Sequence, residues 1–181
     1  KLYNQVRDKK VVLPSNETEE QMYNEVINFL TENGYEQYEI SNFARPGHES
    51  IHNSSYWRNI EYYGLGAGAH GYIDGIRYAN QGALKFYIDS MEEKGHARRE
   101  ENKVTLNEQI EEEMFLGLRL LEGVDLIAFE EKYSKKVQEI FKDVVERNIS
   151  DGYLEIVGNK LRLTRKGLFY GNDVFSEFLL N

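Results

Sequence analysis

The chain has 181 residues, and 22 Lys and Arg against 31 Asp and Glu give it a formal net charge of −9. Such a chain lacks the net positive field with which proteins bind the phosphate backbone of nucleic acids. It contains no Cys, which excludes disulfides, thiolate zinc sites and an iron–sulfur cluster bound by this chain's own thiolates. The absence of Cys and of any run of about 18 apolar residues favours a cytoplasmic protein without a membrane span.

The first 104 residues predict a domain of helices and strands. A helix is predicted to begin at residues 14–16, where Pro precedes two capping side chains, and to end at Asn33 and Gly34. Its apolar residues recur at the spacing of one helical face: Met22, Val26, Phe29 and Leu30. A short strand at 38–40 follows, which gives the helix–strand order of an α/β layer.

Residues 41–82 are predicted to be mostly loop and short strand. Within them, residues 62–73 suit a buried strand whose glycines let another group approach closely. A helix at 82–95, ended by Gly95, closes this first domain.

Residues 105–181 predict a second domain that begins with helices. The first helix is expected to start at Thr105 or Asn107 and to continue to Leu121. A second is expected at 126–133, capped by the preceding Asp, and a third at 137–149.

A hairpin and a last helix complete this second domain. Two alternating strands, 154–157 and 160–163, flank Gly158-Asn159, which suits a two-residue turn, and a helix is expected from about 166 to 180. Three helices followed by a hairpin are the layout of a winged-helix domain. The predicted fold class is therefore α/β followed by α+β.

The chemistry-bearing residues are concentrated between positions 47 and 82. This segment holds 7 of the 15 glycines, 5 of the 13 tyrosines, three of the four His and the only Trp, so it is the first place to look for a site. Three short sequence motifs, which we call words, lie in and beside this segment: EISNFARPG at 39–47, HNSSYW at 52–57 and YYGLGAGAHG at 62–71. Because it contains these three words, the chain resembles the oxygen-independent coproporphyrinogen oxidase-like radical SAM family, and within that family the heme-chaperone branch.

The resemblance extends over essentially the whole chain. It implies that residues 1–104 are the C-terminal strand–helix elements of a radical-SAM partial barrel and that residues 105–181 are a winged-helix-like C-terminal domain. The family's radical chemistry uses a CxxxCxxC loop that binds a 4Fe–4S cluster with S-adenosylmethionine. Because the chain has no Cys, that loop is expected upstream of Lys1, and this chain is expected to be a C-terminal fragment that does not hold the cluster and is inactive alone.

The resemblance also implies ligands and partners for the longer parent protein. These are heme, the 4Fe–4S cluster and S-adenosylmethionine, together with apo-heme proteins such as respiratory enzymes, which would receive the heme. The alternative function is oxygen-independent coproporphyrinogen III oxidase, which decarboxylates two propionates to vinyls through a 5′-deoxyadenosyl radical. The HNxxYW word favours the chaperone over the oxidase.

The resemblance associates the HNxxYW word with heme binding, and His52, Asn53, Tyr56 and Trp57 match its fixed positions. Their chemistry agrees, because imidazole and phenolate are axial ligands of heme iron and Tyr and Trp rings stack on a porphyrin. Asn53 is expected to orient the imidazole. His52 is the predicted iron ligand. The structural alternative is that His52 caps a loop while Tyr56 and Trp57 fill the core.

The glycine-rich word does not have the GxGxxG spacing of a dinucleotide site. In a strand, alternate glycines would leave a flat backbone surface for a planar ligand or, equally, for a packed helix. Gly66, Gly68 and His70 are accordingly candidate contacts of the heme or another cofactor. His70 is expected at the C-terminal side of that strand, facing the mouth of an α/β barrel.

Charged residues near these words leave two alternatives open. Arg45, Arg58 and Arg77 could pair with porphyrin propionates, or they could form surface pairs with Glu39, Glu49 or Glu61. A basic cluster at the hairpin suits a DNA-binding wing: Lys160, Arg162, Arg165 and Lys166. The net charge and the acidic residues of the helix at 137–149 argue against nucleic acid as a partner.

Overall fold

The computed structural model describes residues 1–180, which fall into two compact units. The first unit is Lys1–Glu49 and the second begins at Ser50. Every strand pair among these residues is antiparallel, and the strands form one two-stranded and two three-stranded sheets. None of the described helices is long and apolar enough to cross a membrane.

The first unit contains two helices and one hairpin: α1 (Leu2–Arg7), α2 (Asn16–Glu32), β1 (Glu36–Glu39) and β2 (Asn42–Ala44). The predicted helix is confirmed as α2, but its N-cap is Ser15, whose hydroxyl accepts from the backbone N–H of Thr18 at 3.3 Å. The helix is therefore capped by the first of the two predicted capping side chains. Helix α1 and strand β2 were not predicted.

The apolar stripe predicted on α2 is mostly exposed. Met22, Val26 and Phe29 are 57%, 49% and 65% exposed, whereas Ile27, which the stripe did not include, is buried. Three of the four side chains of the stripe are therefore not buried by any of the residues that the structure describes. Helical periodicity marks the apolar face of a helix without saying what covers it.

The second unit opens with a helix and a three-stranded sheet: α3 (Ile51–Trp57), β3 (His70–Ile73), β4 (Ile76–Asn80), α4 (Leu84–Lys94) and β5 (Arg98–Lys103). The sheet order is β3-β4-β5. The predicted strand at 62–73 is correct only from His70 onward, because residues 62–69 form a loop with a single bridge between Tyr62 and Tyr72. The helix ended by Gly95 is confirmed as α4.

The remaining elements form the C-terminal part of the second unit: α5 (Leu106–Gly117), β6 (Val124–Asp125), α6 (Leu126–Tyr133), α7 (Val137–Ile140), α8 (Lys142–Ser150), β7 (Leu154–Val157), β8 (Lys160–Leu163), α9 (Arg165–Phe169) and α10 (Gly171–Ser176). Strands β6, β8 and β7 lie in that order in one sheet. The domain boundary predicted after residue 104 precedes α5 inside this unit and remains a prediction.

Local signals explain where several of these elements begin and end. Thr105 and Glu108 form a capping box at α5, and Asp125 Oδ1 accepts from the N–H groups of Ile127 and Ala128 at 3.0 and 3.1 Å to cap α6. The predicted helix at 137–149 is instead two helices that meet at Phe141.

The core of the C-terminal part is built from residues of α5, α6, α7 and α10 and of strands β7 and β8. Its least exposed apolar side chains are Met114, Leu118, Phe129, Val137, Leu154, Leu161, Val174 and Phe178. This core holds α5 in place, and α5 contacts α3, the helix that carries part of the site described next.

Candidate ligand-binding site

Helix α3 places the two polar aromatic side chains of the HNxxYW word on one face. Ser50 caps the helix, since its hydroxyl accepts from the N–H of Asn53 at 3.2 Å. His52 and Tyr56 lie one turn apart, with the phenol oxygen 3.3 Å from the imidazole Nε2 and the two rings perpendicular at 4.8 Å between centroids. The word was predicted to lie in a loop, so the pairing of these side chains was missed.

Tyr62 extends this aromatic face. Its ring meets the ring of Tyr56 edge-on at a centroid distance of 4.5 Å, and its backbone exchanges two hydrogen bonds with Tyr72 at 2.8 and 2.9 Å. Burial raises the pKa of the Tyr62 phenol, and the nearby Arg77 guanidinium opposes this only in part. Tyr62 therefore stays a neutral phenol at physiological pH.

The glycine-rich word forms a loop that strand β4 holds in place. The side-chain amide of Asn80 donates to the carbonyls of both Gly64 and Gly66 at 3.0 Å, and the N–H of Gly68 donates to the carbonyl of Gln81 at 2.8 Å. Gly66 and Gly68 have φ values of +100° and +73°, which favour glycine. The expected flat strand face of alternate glycines is thus wrong, because side-chain hydrogen bonds from β4 set the loop's path.

These elements enclose an open cavity of about 500 Å³, which we call the histidine cavity. Its aromatic lining consists of His52, Tyr56, Tyr62, Tyr63 and His70, and four residues of the 64–69 loop complete it. The volume falls within the range of roughly 300–1,000 Å³ that is usual for small-molecule and cofactor sites. Of the predicted contacts, His52, Tyr56, Gly68 and His70 are brought together here.

His70 reaches the cavity from a different position than expected. It is the first residue of β3 and not at the C-terminal side of a strand, and it is exposed. Because β3 pairs with an antiparallel neighbour, no barrel mouth is defined by this sheet itself. Sequence reasoning also missed Tyr62 and Tyr63 as site residues, although they are the first two residues of the glycine-rich word.

Asn53, Trp57 and Gly66 do not line the histidine cavity. Trp57 follows His52 by five positions, which on a helix of 3.6 residues per turn points it to another side. The guanidinium of Arg119 lies 4.5 Å from the Trp57 ring centre, and the indole Nε1 is buried with no hydrogen-bond partner among the described residues. Trp57 instead lines a smaller cavity of about 210 Å³ with Arg58 and Glu122.

The three arginines proposed for propionates have other partners. Arg58 pairs with Glu122 at 3.0 Å, and Arg45 lies 5.6 Å from the Tyr35 ring centre. Arg77 binds Glu112 through two hydrogen bonds of 2.9 and 2.6 Å. Burial alone would lower the pKa of the Arg77 guanidinium, but the hydrogen bonds and charge of Glu112 outweigh it and raise that pKa. None of the three pairs with a predicted glutamate.

Residues 1–180 contain no group of three or more His, Cys, Asp or Glu side chains arranged to hold a metal ion. A heme needs fewer protein ligands than a bare metal ion, because the porphyrin supplies four nitrogen ligands and the chain supplies only one or two axial ones. The imidazoles and phenols of the histidine cavity fit this requirement, and its aromatic rings fit a porphyrin face.

Comparison with known proteins finds one matching family model and several relatives of similar sequence. The model of the HemN C-terminal domain matches residues 104–170. The chain is 45% identical over 177 residues to the heme chaperone HemW of Bacillus subtilis, covering 98% of this chain and 47% of that protein. It is 41% identical over 169 residues to HemW of Lactococcus lactis, covering 93% of this chain and 44% of that protein. The chain thus spans less than half the length of these relatives.

A solved structure shows a similar fold. Coproporphyrinogen III oxidase (HemN) from Escherichia coli, a radical SAM enzyme, superposes with a TM-score of 0.70 over 92% of this chain and 42% of that one. At 22% sequence identity this is a likeness of fold. Both structures therefore share a mixed architecture of helices and small sheets in this region.

Proposed function

The chain belongs to the family of HemN- and HemW-like proteins, and from that premise we propose that it is part of a radical SAM heme chaperone that binds heme and transfers it to apo-proteins. The observation that supports this most is the meeting of His52, Tyr56 and His70 at one aromatic cavity. The HemW heme chaperones of Bacillus subtilis and Lactococcus lactis are 45% and 41% identical to this chain over the matched residues.

We propose that heme occupies the histidine cavity. His52 supplies an iron ligand, Tyr56 and His70 contact the porphyrin, and Gly66 and Gly68 shape the loop against which it packs. Asn53 and Trp57 act from the same helix, Asn53 by orienting the imidazole and Trp57 by holding α3 against Arg119. With Arg77 engaged by Glu112, the propionates extend toward solvent.

The longer protein would also bind a 4Fe–4S cluster and S-adenosylmethionine outside this chain, since this chain has no Cys. Residues 1–104 would complete a partial barrel there. The alternative activity, oxidative decarboxylation of coproporphyrinogen III, has one supporting observation, the fold shared with the HemN oxidase. A site that offers an imidazole ligand for heme iron serves a chaperone better, because the oxidase acts on a porphyrinogen that holds no iron.

We further propose that residues 105–181 form a winged-helix-like domain used for packing or partner contact in the cytoplasm. The order α5, β6, α6, α8, β7, β8 with the three-stranded sheet β6-β8-β7 supports this arrangement. We do not propose nucleic acid as its partner, since three basic side chains at the hairpin are engaged locally: Lys160 with Asp125, Arg162 with Glu155, and Lys166 with the carbonyl of Asp151.

A heme titration tests the proposed function. The 181-residue chain is titrated with hemin, and we expect saturable one-to-one binding seen in the Soret band. His52→Ala removes a direct ligand and should weaken binding by at least the roughly 10-fold that loss of an outer-shell partner costs. His96→Ala, which replaces an exposed histidine away from the cavity, should leave binding unchanged. Absence of saturable binding, or equal effects of the two variants, would contradict the proposal.

A further inference from the structure

Helix α4 lies on a long excursion between two neighbouring strands. Strands β4 and β5 are adjacent and antiparallel, and a turn of about two to five residues is enough to join such a pair. The chain instead inserts residues 81–97 between them. The backbone N–H of Gln81 donates to the carbonyl of Ala97 at 2.9 Å, which closes the base of this excursion. The sheet therefore does not need α4 for its connection.

The apolar residues of α4 form one stripe that none of residues 1–180 buries. They recur at i, i+3, i+4 and i+7, which is one helical face: Leu84, Tyr87, Ile88 and Met91. Leu84, Ile88 and Met91 are 66%, 45% and 40% exposed, and none of the 11 residues of α4 is buried. An isolated helix shorter than about 12–15 residues is only marginally stable in water. The stripe therefore indicates a surface that packs against something outside the described residues.

We propose that the stripe of α4 docks against the part of a longer parent protein that this chain does not contain. The 177 residues matched in HemW of Bacillus subtilis make up 47% of that protein, so more than half of the relative lies outside the match. A segment of the same polypeptide is always present beside α4 and is a permanent partner. The longer protein is that of the proposed function, but heme plays no part in this docking.

A second copy of this chain suits the stripe less well. A helix of 11 residues is about 16 Å long, whereas a stable interface buries about 800 Å² on each partner. Two α4 helices packed side by side offer only a small part of that area.

The polar side of α4 argues against a lipid surface as the partner. It carries three acidic and two basic side chains, all of them exposed: Asp89, Glu92, Glu93, Lys85 and Lys94. Helices that lie on membranes are usually rich in Lys and Arg, which bind anionic lipids. A protein surface that is apolar at its centre and carries charges of both signs at its rim fits α4 better.

Hydrogen exchange measured by mass spectrometry tests this docking. The two samples are the 181-residue chain and full-length HemW of Bacillus subtilis, in which the peptide that aligns with residues 84–94 is followed. We expect fast exchange of residues 84–94 in the 181-residue chain. In full-length HemW the aligned peptide should exchange roughly 100-fold more slowly, because the apolar face of its helix is buried there.

Two variants with matched chemistry identify the docking face. A chimera carries this chain in place of the matched part of Bacillus subtilis HemW, and each variant replaces an exposed apolar side chain of α4 by Asp. Ile88→Asp lies on the stripe, whereas Phe86→Asp lies on the opposite side of the helix, since 3.6 residues make one turn. We expect Ile88→Asp to abolish the protection of residues 84–94 in the chimera and Phe86→Asp to leave it unchanged.

Several outcomes would overturn the docking. Fast exchange of the aligned peptide in full-length HemW does so, and this measurement does not require the chimera to fold. Equal effects of the two variants overturn the assigned face. Protection that is already present in the 181-residue chain also overturns the docking, and if it rises with concentration, together with dimers in sedimentation, the partner is a second copy. The hemin titration does not involve α4, so heme binding and this docking fail independently.

Discussion

Arg77 and Glu112 form a two-point ion pair, in which Nε and Nη2 of the guanidinium donate to the two carboxylate oxygens at 2.9 and 2.6 Å. The pair joins strand β4 to helix α5, and the guanidinium also lies 4.6 Å from the Tyr72 ring centre. The two side chains are 32% and 16% exposed, so the pair is shielded from much of the solvent. It ties the sheet beside the histidine cavity to the C-terminal core.

Glu112→Gln should destabilise the fold more than the loss of a surface ion pair. The change leaves the partly buried Arg77 without its anion, and we expect the free energy of unfolding to fall by about 1–3 kcal/mol. Glu122→Gln, which breaks the exposed pair with Arg58, should cost less than about 0.5 kcal/mol. Urea denaturation measures both, and equal losses would contradict the role assigned to Arg77.

Asn80→Ala should loosen the glycine-rich loop. It removes the two hydrogen bonds to the carbonyls of Gly64 and Gly66, at a cost of about 1–2 kcal/mol. Hydrogen exchange of the Gly68 amide should become faster. Asn107→Ala, at an exposed position in the first turn of α5, is the control. Unchanged exchange at Gly68 would show that the loop does not depend on Asn80.

Asp125 should make the stability of α6 pH-dependent. Hydrogen bonds from the helix N–H groups, first that of Ala128, hold the pKa of its carboxyl below the ordinary value of 3.8. Because the folded-state pKa lies below the unfolded one, the carboxylate stabilises the fold above the unfolded-state value. That contribution is lost as the pH falls through the folded-state pKa.

The matching experiment compares Asp125→Ala with Asp125→Asn. At pH 7, Asp125→Ala should lower the free energy of unfolding by about 1 kcal/mol. Asp125→Asn should lower it less, because Asn also caps helices. The difference between wild type and Asp125→Ala should shrink as the pH is lowered through the acidic range. If the difference in unfolding free energy between wild type and Asp125→Ala did not shrink at acidic pH, the ionised carboxylate of Asp125 would not be its source.

The local elements of the C-terminal part could be predicted from sequence because their signals are short-range. Asp125 marks the start of α6, and Gly158-Asn159 sets a two-residue turn between β7 and β8; in the structure Gly158 has φ +61°. In each case the deciding hydrogen bonds or dihedrals lie within a few residues of the signal.

The candidate site was harder to predict because tertiary contacts shape it. Ser50 caps α3, yet the helix has only Ser54 fully buried and shows no apolar periodicity. The loop at 64–69 alternates like a strand, but Asn80 on β4 determines its conformation from 14 and 16 positions away. Composition alone still located the segment that forms the histidine cavity.

The hairpin should not bind DNA. Lys160, Arg162 and Lys166 are already engaged by Asp125, Glu155 and the carbonyl of Asp151, which leaves these charges less able to contact phosphates. In a fluorescence-anisotropy titration at low salt, we expect no micromolar binding of duplex DNA. Binding that weakens steeply with salt, and that disappears when Lys160, Arg162, Arg165 and Lys166 are neutralised, would reverse this prediction.

If heme binds in the histidine cavity, paramagnetic broadening by ferric heme should show it there. Hemin is added to the isotope-labelled 181-residue chain, and the amide NMR signals that broaden around the iron are recorded. We expect selective broadening in α3 and in residues 62–70, with the signals of β7 and β8 unchanged. Broadening centred on the β7–β8 hairpin, or spread evenly over the chain, would contradict it.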